Sequence, residues 1–261
     1  MTKQSKGVVQ SEAKDHVLKI TINNPAKKNA FDPDMMLQLS NALTELHKNP
    51  TLWVGVITAE GENFTAGLDM PKFFGPGANP PPIPETNINA FGLGNTCDKP
   101  IITAVQGICF TIGIEMALAG DIIVAADNTR FCQMEAKRGI APLGGAHFRY
   151  IERAGWGNGM YHLLLCDEFD AAEAYRVGLV QEVVPAGTQV VRAMELADII
   201  KENAPLGIQA TKIAGRKYIE AGEASAVAAV ANIREQVMET EDAKEGIRSF
   251  VERRAAVFKG R

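Results

Sequence analysis

Residues 104–145, AVQGICFTIGIEMALAGDIIVAADNTRFCQMEAKRGIAPLGG, decide how this chain is read. The apolar run Ile101–Val105 leads into Gly107, and a helix-like segment follows from about Gly113 to Ala119 with Glu115 in its first turn. After Asp121 the run IIVAA has strand character, Asp127-Asn128 reads as a turn, and Phe131 precedes a second acid, Glu135. The two acids stand twenty residues apart, near the ends of elements, in apolar surroundings. Carboxylates in such surroundings are pushed to higher pKa and exchange protons near neutral pH. The same spacing also fits two partly exposed, salt-bridged glutamates, the common condition of carboxylates.

Two glycine-bearing turns, around Gly67 and around Gly107–Gly113, follow apolar strands. Turns of this kind can aim backbone N–H groups at one point. Two convergent donors, with a helix N-terminus behind one of them, would polarise a carbonyl and hold an oxyanion. The glycines also fit structural turns that need positive φ. Neither turn contains GxGxxG or a Walker pattern, which argues against a nucleotide-phosphate cradle.

Toward the N-terminus, Val17–Ile22 alternates apolar and polar residues as a strand does, and Asn23-Asn24-Pro25 ends it. Asp32 suits an N-cap and Pro33 a first helical position, and the run Met35, Met36, Leu39, Leu43, Leu46 keeps helical spacing to about Lys48. Trp53–Thr58 is short and apolar enough for a buried strand. A loop then leads to FTAGLDM, residues 64–70, so the chain begins in a βα manner. Residues 73–84, FFGPGANPPPIP, exclude regular helix or central strand through their prolines. They read as a mobile surface loop at the mouth of a pocket, or as a linker. A short helix is expected near Glu85–Thr96.

Past Gly145 the pattern turns mainly helical. Gly155-Trp156-Gly157 punctuates two helices, Ala171–Val177 forms a short one, and Val180–Val184 suits a strand. Further helices are expected at about Thr188–Glu202, Pro205–Glu220, Ala224–Glu239 and Ala243–Phe258. In the last of these Ile247, Phe250, Val251 and Phe258 would share a face.

With 261 residues, 46% hydrophobic and 22% charged, the chain can bury a sizeable core as one large domain or two smaller ones. A net charge of −4 without blocks of like charge argues against a nucleic-acid binder. No apolar run reaches the roughly 18 residues of a membrane span, and the first fifteen residues lack the apolar core of a signal peptide. Cys97, Cys109, Cys132 and Cys166 show no CxxC spacing and read as buried reduced thiols of a cytoplasmic protein. The four histidines are scattered and suggest no metal site.

Six segments together resemble the crotonase (enoyl-CoA hydratase/isomerase) superfamily. They are NNPAKKNAF, FTAGLDM, the Gly107–Asp121 run, FCQMEAKRGIAPLGG, AEAYRVGLVQEVVP and EDAKEGIRSFVERRAAVFKG. The likeness is collinear over about residues 8–260, and six motifs in order are specific for the superfamily though not for one reaction. It implies an α/β fold, a crotonase-like (ClpP/crotonase) spiral of ββα units over residues 1–200. A C-terminal helical trimerisation region, residues 201–261, would complete it.

The resemblance also implies site residues. One oxyanion-hole N–H would come from Leu68, the residue after the Ala66-Gly67 pair, where the family usually has Ala. The other would come from Ile112, in a Thr111-Ile112-Gly113 triplet where the family has three glycines. Both departures imply a pocket shaped unlike that of a short-chain hydratase. Glu115 would activate water for attack at C3 of a 2-enoyl-CoA, and Glu135 would deliver the proton to C2. Coenzyme A, part of the substrate, would lie along Lys27 and Lys28, along the turn Ala66, Leu68, Asp69, Met70 and Pro71, and under Phe258 and Lys259, often from a neighbouring subunit. Asp69 would fix the turn, and the lysines also fit a solvated surface. The resemblance implies an acyl-CoA thioester substrate, no metal or other cofactor, no nucleic-acid or membrane partner, and a homotrimer or homohexamer. Alternatives are an enoyl-CoA isomerase with Glu135 as proton shuttle, another crotonase-type acyl-CoA enzyme, or a catalytically silent CoA-thioester binder.

Overall fold

The structure, a computed structural model, describes residues 7–261. Strand β1 (Val8–Lys14) folds back on β2 (Val17–Asn23) through Asp15 and His16. Both turn residues hold positive φ, 46° and 70°, the geometry of a two-residue hairpin. The sequence pattern misses β1, because its outward half is polar and the turn carries no glycine. Helix α1 (Pro33–Lys48) starts as expected: Asp32 Oδ1 accepts the Met35 N–H at 2.9 Å, a cap worth about 1 kcal/mol.

In chain order there follow β3 (Val54–Ala59), the short α2 (Met70–Phe74), β4 (Ile101–Val105), β5 (Ile108–Phe110) and α3 (Ile112–Ala119). Next come β6 (Ile122–Ala126), β7 (Arg130–Cys132), α4 (Ala146–Leu165), β8 (Phe169–Asp170), α5 (Ala171–Arg176) and β9 (Glu182–Val184). Helices α6 (Gln189–Lys201), α7 (Pro205–Met238) and α8 (Glu241–Glu252) complete the chain. Helix α4 breaks at Gly155, where φ is 73°, and α7 at Ala221-Gly222, so both interruptions fall where the sequence places them.

A six-stranded sheet has the order β1-β2-β3-β4-β6-β9, parallel except for the β1–β2 pair. Alternate residues of its central strands enter different cores. Ile57, Ile101, Val105 and Ile123 pack with Leu39 and Leu43 of α1 and Met116 of α3. Val54, Val56, Ile102, Ala104 and Val124 pack with Ala193 and Ala197 of α6. With both faces covered, β3 and β4 are buried along their whole length, which is why they read as continuous apolar runs. Each fully buried Val, Leu or Ile contributes about 1.5–3 kcal/mol relative to exposure.

A smaller sheet, β5-β7-β8, sets the site. Strands β5 and β7 run parallel, and Thr65 forms a parallel bridge to Cys109 of β5. Three chain segments therefore lie side by side and leave in the same direction: one toward Leu68, one toward Ile112 and one toward Glu135.

Two expectations need correction. Residues 85–96 form no helix. Their asparagines bond to nearby backbone instead, with Asn89 Oδ1 accepting from the Phe91 and Leu93 N–H groups and Asn95 Nδ2 donating to the Glu85 carbonyl. Such local bonds compete with the helical ladder. The segment is still anchored, since Ile88 and Ala90 belong to the main core. The last helix ends at Glu252, with Arg253 at φ 55°, so Phe258 does not share its face. The tail folds back along α8, where Glu245 Oε1 accepts the Val257 N–H and Asp242 the N–H groups of Lys259 and Gly260. No helix among the described residues is long and apolar enough to cross a membrane.

Candidate active site

Glu115 and Glu135 both line one cavity of about 420 Å³, and both are buried, at 1% and 8% exposure. Neither forms a salt bridge among the described residues, and their burial removes the exposed, ion-paired alternative. Glu115 projects from the first turn of α3. Its Oε1 accepts two backbone donors, Gly144 N–H at 2.7 Å and Ala146 N–H at 3.1 Å, and Oε2 receives no protein donor. Glu135 opens a 3-10 turn after β7. Its Oε1 accepts Gln133 Nε2 at 2.9 Å, and its Oε2 is buried without a partner. Each carboxylate is thus held by one oxygen, and the other takes no protein donor.

Burial raises both carboxyls from the usual carboxylate range. At Glu115 the Ala146 and Gly144 N–H groups oppose the rise, as do the nearby charges of His147 and Arg149. Glu135 is pushed up to about 7, chiefly by burial; the negative charge of Glu115 adds to this, while its own backbone N–H and Gln133 work against it. The pair is therefore differentiated. Two backbone N–H groups bond Glu115 and oppose its rise, which suits a base, while Glu135, pushed up to about 7, suits an acid.

Leu68 and Ile112 border the same cavity. Ile112 is the first residue of α3, so its N–H is one of the four that a helix start leaves free. The Leu68 N–H lies between backbone bonds made by its neighbours, Phe31 N–H to Gly67 O at 2.8 Å and Asp69 N–H to Phe31 O at 2.8 Å. No protein acceptor takes either donor among the described hydrogen bonds. Thr111, just before Ile112, has φ 49° and ψ −116°, a conformation costly for a β-branched residue and natural to the glycine expected there.

The other sequence-named residues divide into groups. Ala66 and Met70 line the cavity beside Leu68. Ala66 donates its N–H to the Lys28 carbonyl at 2.9 Å, tying the 27–28 turn to the Leu68 turn. Lys27 Nζ pairs with Asp69 at 2.8 Å, consistent with Asp69 holding the turn. Pro71 sits at the start of α2. Phe258 and Lys259 lie elsewhere: the neighbouring Gly260 approaches Trp53, which precedes β3 at the end of the sheet away from the site. Within one chain they do not join the cavity.

Several lining residues escaped the sequence reading. Met36, Phe91 and Leu143 border the cavity; Phe73 and Phe74, at the end of α2 where the proline-rich segment begins, border it too, in keeping with the reading of that segment at a pocket mouth. Residues 76–81 of that loop border a different depression beside Pro33. The donors to Glu115, Gly144 and Ala146, also went unread, though Gly144 belongs to the Gly-Gly pair that closes the quoted stretch and Ala146 follows it directly. A larger cavity, about 650 Å³, lies across α4, borders α7 and holds neither acid. No cluster of three or more His, Cys, Asp or Glu among the described residues is arranged to hold a metal.

Comparison with known proteins shows the family and the fold. The profile of the enoyl-CoA hydratase/isomerase family matches residues 12–261. The chain is 33% identical to the enoyl-CoA hydratase EchA19 of Mycobacterium tuberculosis, covering 96% of each. It is 31% identical to the 2,3-dehydroadipyl-CoA hydratase of Escherichia coli, over 94% of this chain and 96% of that one. Among solved structures, a probable enoyl-CoA hydratase/isomerase from Mycobacterium abscessus superposes with a TM-score of 0.93 at 41% identity, covering 97% of this chain and 99% of that one. An enoyl-CoA hydratase from Mycobacterium tuberculosis gives 0.90 at 34% identity with the same coverage.

Proposed function

This chain belongs to the enoyl-CoA hydratase/isomerase family and has the crotonase fold, and we propose from that premise that it adds water across the 2,3 double bond of an enoyl-CoA thioester. The observation that carries the proposal is the pair of buried glutamates in one cavity, each with one oxygen held and the other without a protein donor. In this reading Glu115 Oε2 takes a proton from water as its oxygen bonds to C3. The electron pair of the double bond moves toward the thioester carbonyl, whose oxygen gains negative charge. The Leu68 and Ile112 N–H groups stabilise that enolate, an effect worth about 10²–10³ in rate per donor. Glu135 then gives its proton to C2. Exchange of one proton between the two acids resets the site.

Coenzyme A in this reading follows the turn of Ala66, Leu68, Asp69, Met70 and Pro71 and the Lys27-Lys28 segment. Phe258 and Lys259 would reach it from a neighbouring subunit, because within their own chain they lie away from the cavity. Residues 201–261 would form the trimerisation region on the core of residues 1–200. Ile247, Phe250 and Val251 of α8 support this, since they form an apolar face that the single chain leaves exposed.

The test is hydration of crotonyl-CoA, followed by loss of the enoyl absorbance, for the wild type, Glu115→Gln and Glu135→Gln. Turnover by the wild type with a fall of about 10²-fold or more in both variants is expected. A rate that survives Glu115→Gln while 3-enoyl-CoA is isomerised would transfer the reading to an isomerase. Binding of acyl-CoA without any turnover would make the chain a silent thioester binder.

A further inference from the structure

The clamp on Glu115 is itself held by a buried charge. Its two donors, the N–H groups of Gly144 and Ala146, belong to peptide units on either side of the 144–145 peptide. The carbonyl of that middle peptide, Gly144 O, turns to Arg149 and accepts Nη1 at 3.0 Å. Arg149 stands on the first turns of α4 and is 9% exposed. Its second terminal nitrogen reaches Gly92 O at 3.5 Å, and its own N–H bonds Gly145 O at 3.1 Å. Gly145 has φ 100°, and a Cβ there would fall 2.4 Å from Arg149 Nη1, so the guanidinium packs directly on the loop. Arg149 makes no ion pair with Glu115 and does not line the cavity that holds the two acids; it borders the larger cavity across α4.

We propose that Arg149 is a positioning residue for hydration: it pins the 144–145 peptide so that the flanking N–H groups converge on Glu115 Oε1 and leave Oε2 to the water. The inference rests on the reading of Glu115 as the base. A neutral donor could hold one carbonyl, but a planar guanidinium holds Gly144 and Gly92 together and places positive charge near a buried carboxylate. Removing Arg149 frees the loop, weakens both N–H bonds to Glu115 and takes away a favourable charge. Each of these losses destabilises the ionised base, so its protonation moves to higher pH. The other titratable groups facing Glu115 are Glu135, His147 and Tyr150, and the substitution leaves all three in place.

The experiment compares pH profiles of crotonyl-CoA hydration for the wild type, Arg149→Met, Arg149→Lys, Glu115→Gln and the double variant Arg149→Met/Glu115→Gln. For Arg149→Met we expect kcat to fall about 10–100-fold with KM within about threefold, the size of effect a displaced catalytic group produces. The acid limb of its kcat profile should move up by about one unit. Arg149→Lys, which keeps a charge and one donor, should recover part of both changes. In the Glu115→Gln background Arg149→Met should lower kcat no further, because the two act through one group. An unmoved acid limb in the two single Arg149 variants, or a fully additive loss in the double variant, would overturn the proposal and leave Arg149 as ordinary packing. If Arg149→Met fails to fold, the limb of Arg149→Lys decides alone. A Glu115→Gln enzyme as active as the wild type would instead overturn the reading of Glu115 itself, which separates that failure from this one.

Discussion

Thr111 Oγ1 sits against Gly67, 2.4 Å from where a Cβ on that glycine would stand. These two residues immediately precede Ile112 and Leu68. The turns that carry the two candidate oxyanion donors therefore press on one another, and the spacing between the donors depends on a glycine with φ 105° meeting a threonine with φ 49°.

Gly67→Ala should separate the turns. Alanine is strained at that φ by about 1–3 kcal/mol, and its Cβ meets Thr111. We expect a lower Tm and a fall in kcat/KM of about 10²-fold, the loss associated with one displaced oxyanion donor. Wild-type kinetics in a folded Gly67→Ala protein would remove Leu68 from the oxyanion hole.

Thr111→Gly should act in the opposite direction on stability. The substitution relieves about 1–3 kcal/mol of backbone strain and gives back about 0.5–1 kcal/mol through the greater freedom of glycine in the unfolded chain. Thermal unfolding should show a net gain of about 1 kcal/mol. A lower Tm would mean that the contact of Thr111 with Gly67 outweighs the strain.

The pH–rate profile should be bell-shaped. In the proposed mechanism Glu135 must be protonated, and its carboxyl is pushed up to about 7, so kcat/KM should decline as pH rises through that region. Protonation of Glu115 should reduce the rate at the acid end. The two acids influence one another, so both limbs report the pair. A rate still rising steadily to pH 9 would exclude Glu135 as the acid.

The same burial has a stability consequence. A carboxyl whose folded pKa lies above its unfolded value stabilises the protein while protonated, and that contribution is lost as pH rises from about 4.5 to about 7. For Glu135 the loss is on the order of 3 kcal/mol. Glu135→Gln should match the wild type near pH 4 and unfold at higher denaturant than the wild type at pH 8. Equal midpoints at both pH values would show that the carboxyl is well solvated.

Phe250 is 85% exposed on α8, beside Ile247 and Val251. Phe250→Asp should leave the monomer fold intact and shift sedimentation toward smaller species, with loss of activity if a neighbour supplies Phe258 and Lys259. An unchanged sedimentation coefficient would place the subunit interface elsewhere.

Much of this architecture is legible along the chain. The caps, glycine breaks and apolar periods that mark α1, β3, β4, α3 and the interruptions of α4 and α7 are local signals, each carried by residues within a few positions of one another. The misreadings have the same origin. Residues 85–96 have the length and position for a helix, but asparagine side chains bonding back to their own backbone replace it. The last helix stops early because Asp242 and Glu245 take the N–H groups of the returning tail, bonds that exist only once the tail has folded back.

By itself the sequence determined the central strands β2, β3, β4 and β6 and the main helices, the family motifs and the identity of two acids twenty residues apart, because side-chain type and local spacing suffice for all three. The tertiary structure decided what those acids can do. The donors that hold Glu115 come from backbone 29 and 31 residues away, and a peptide N–H carries no residue identity to read. Burial, a single held oxygen on each carboxylate and the unequal surroundings of the two arise from where the chain brings these groups together, since desolvation and hydrogen bonding depend on surroundings and not on spacing.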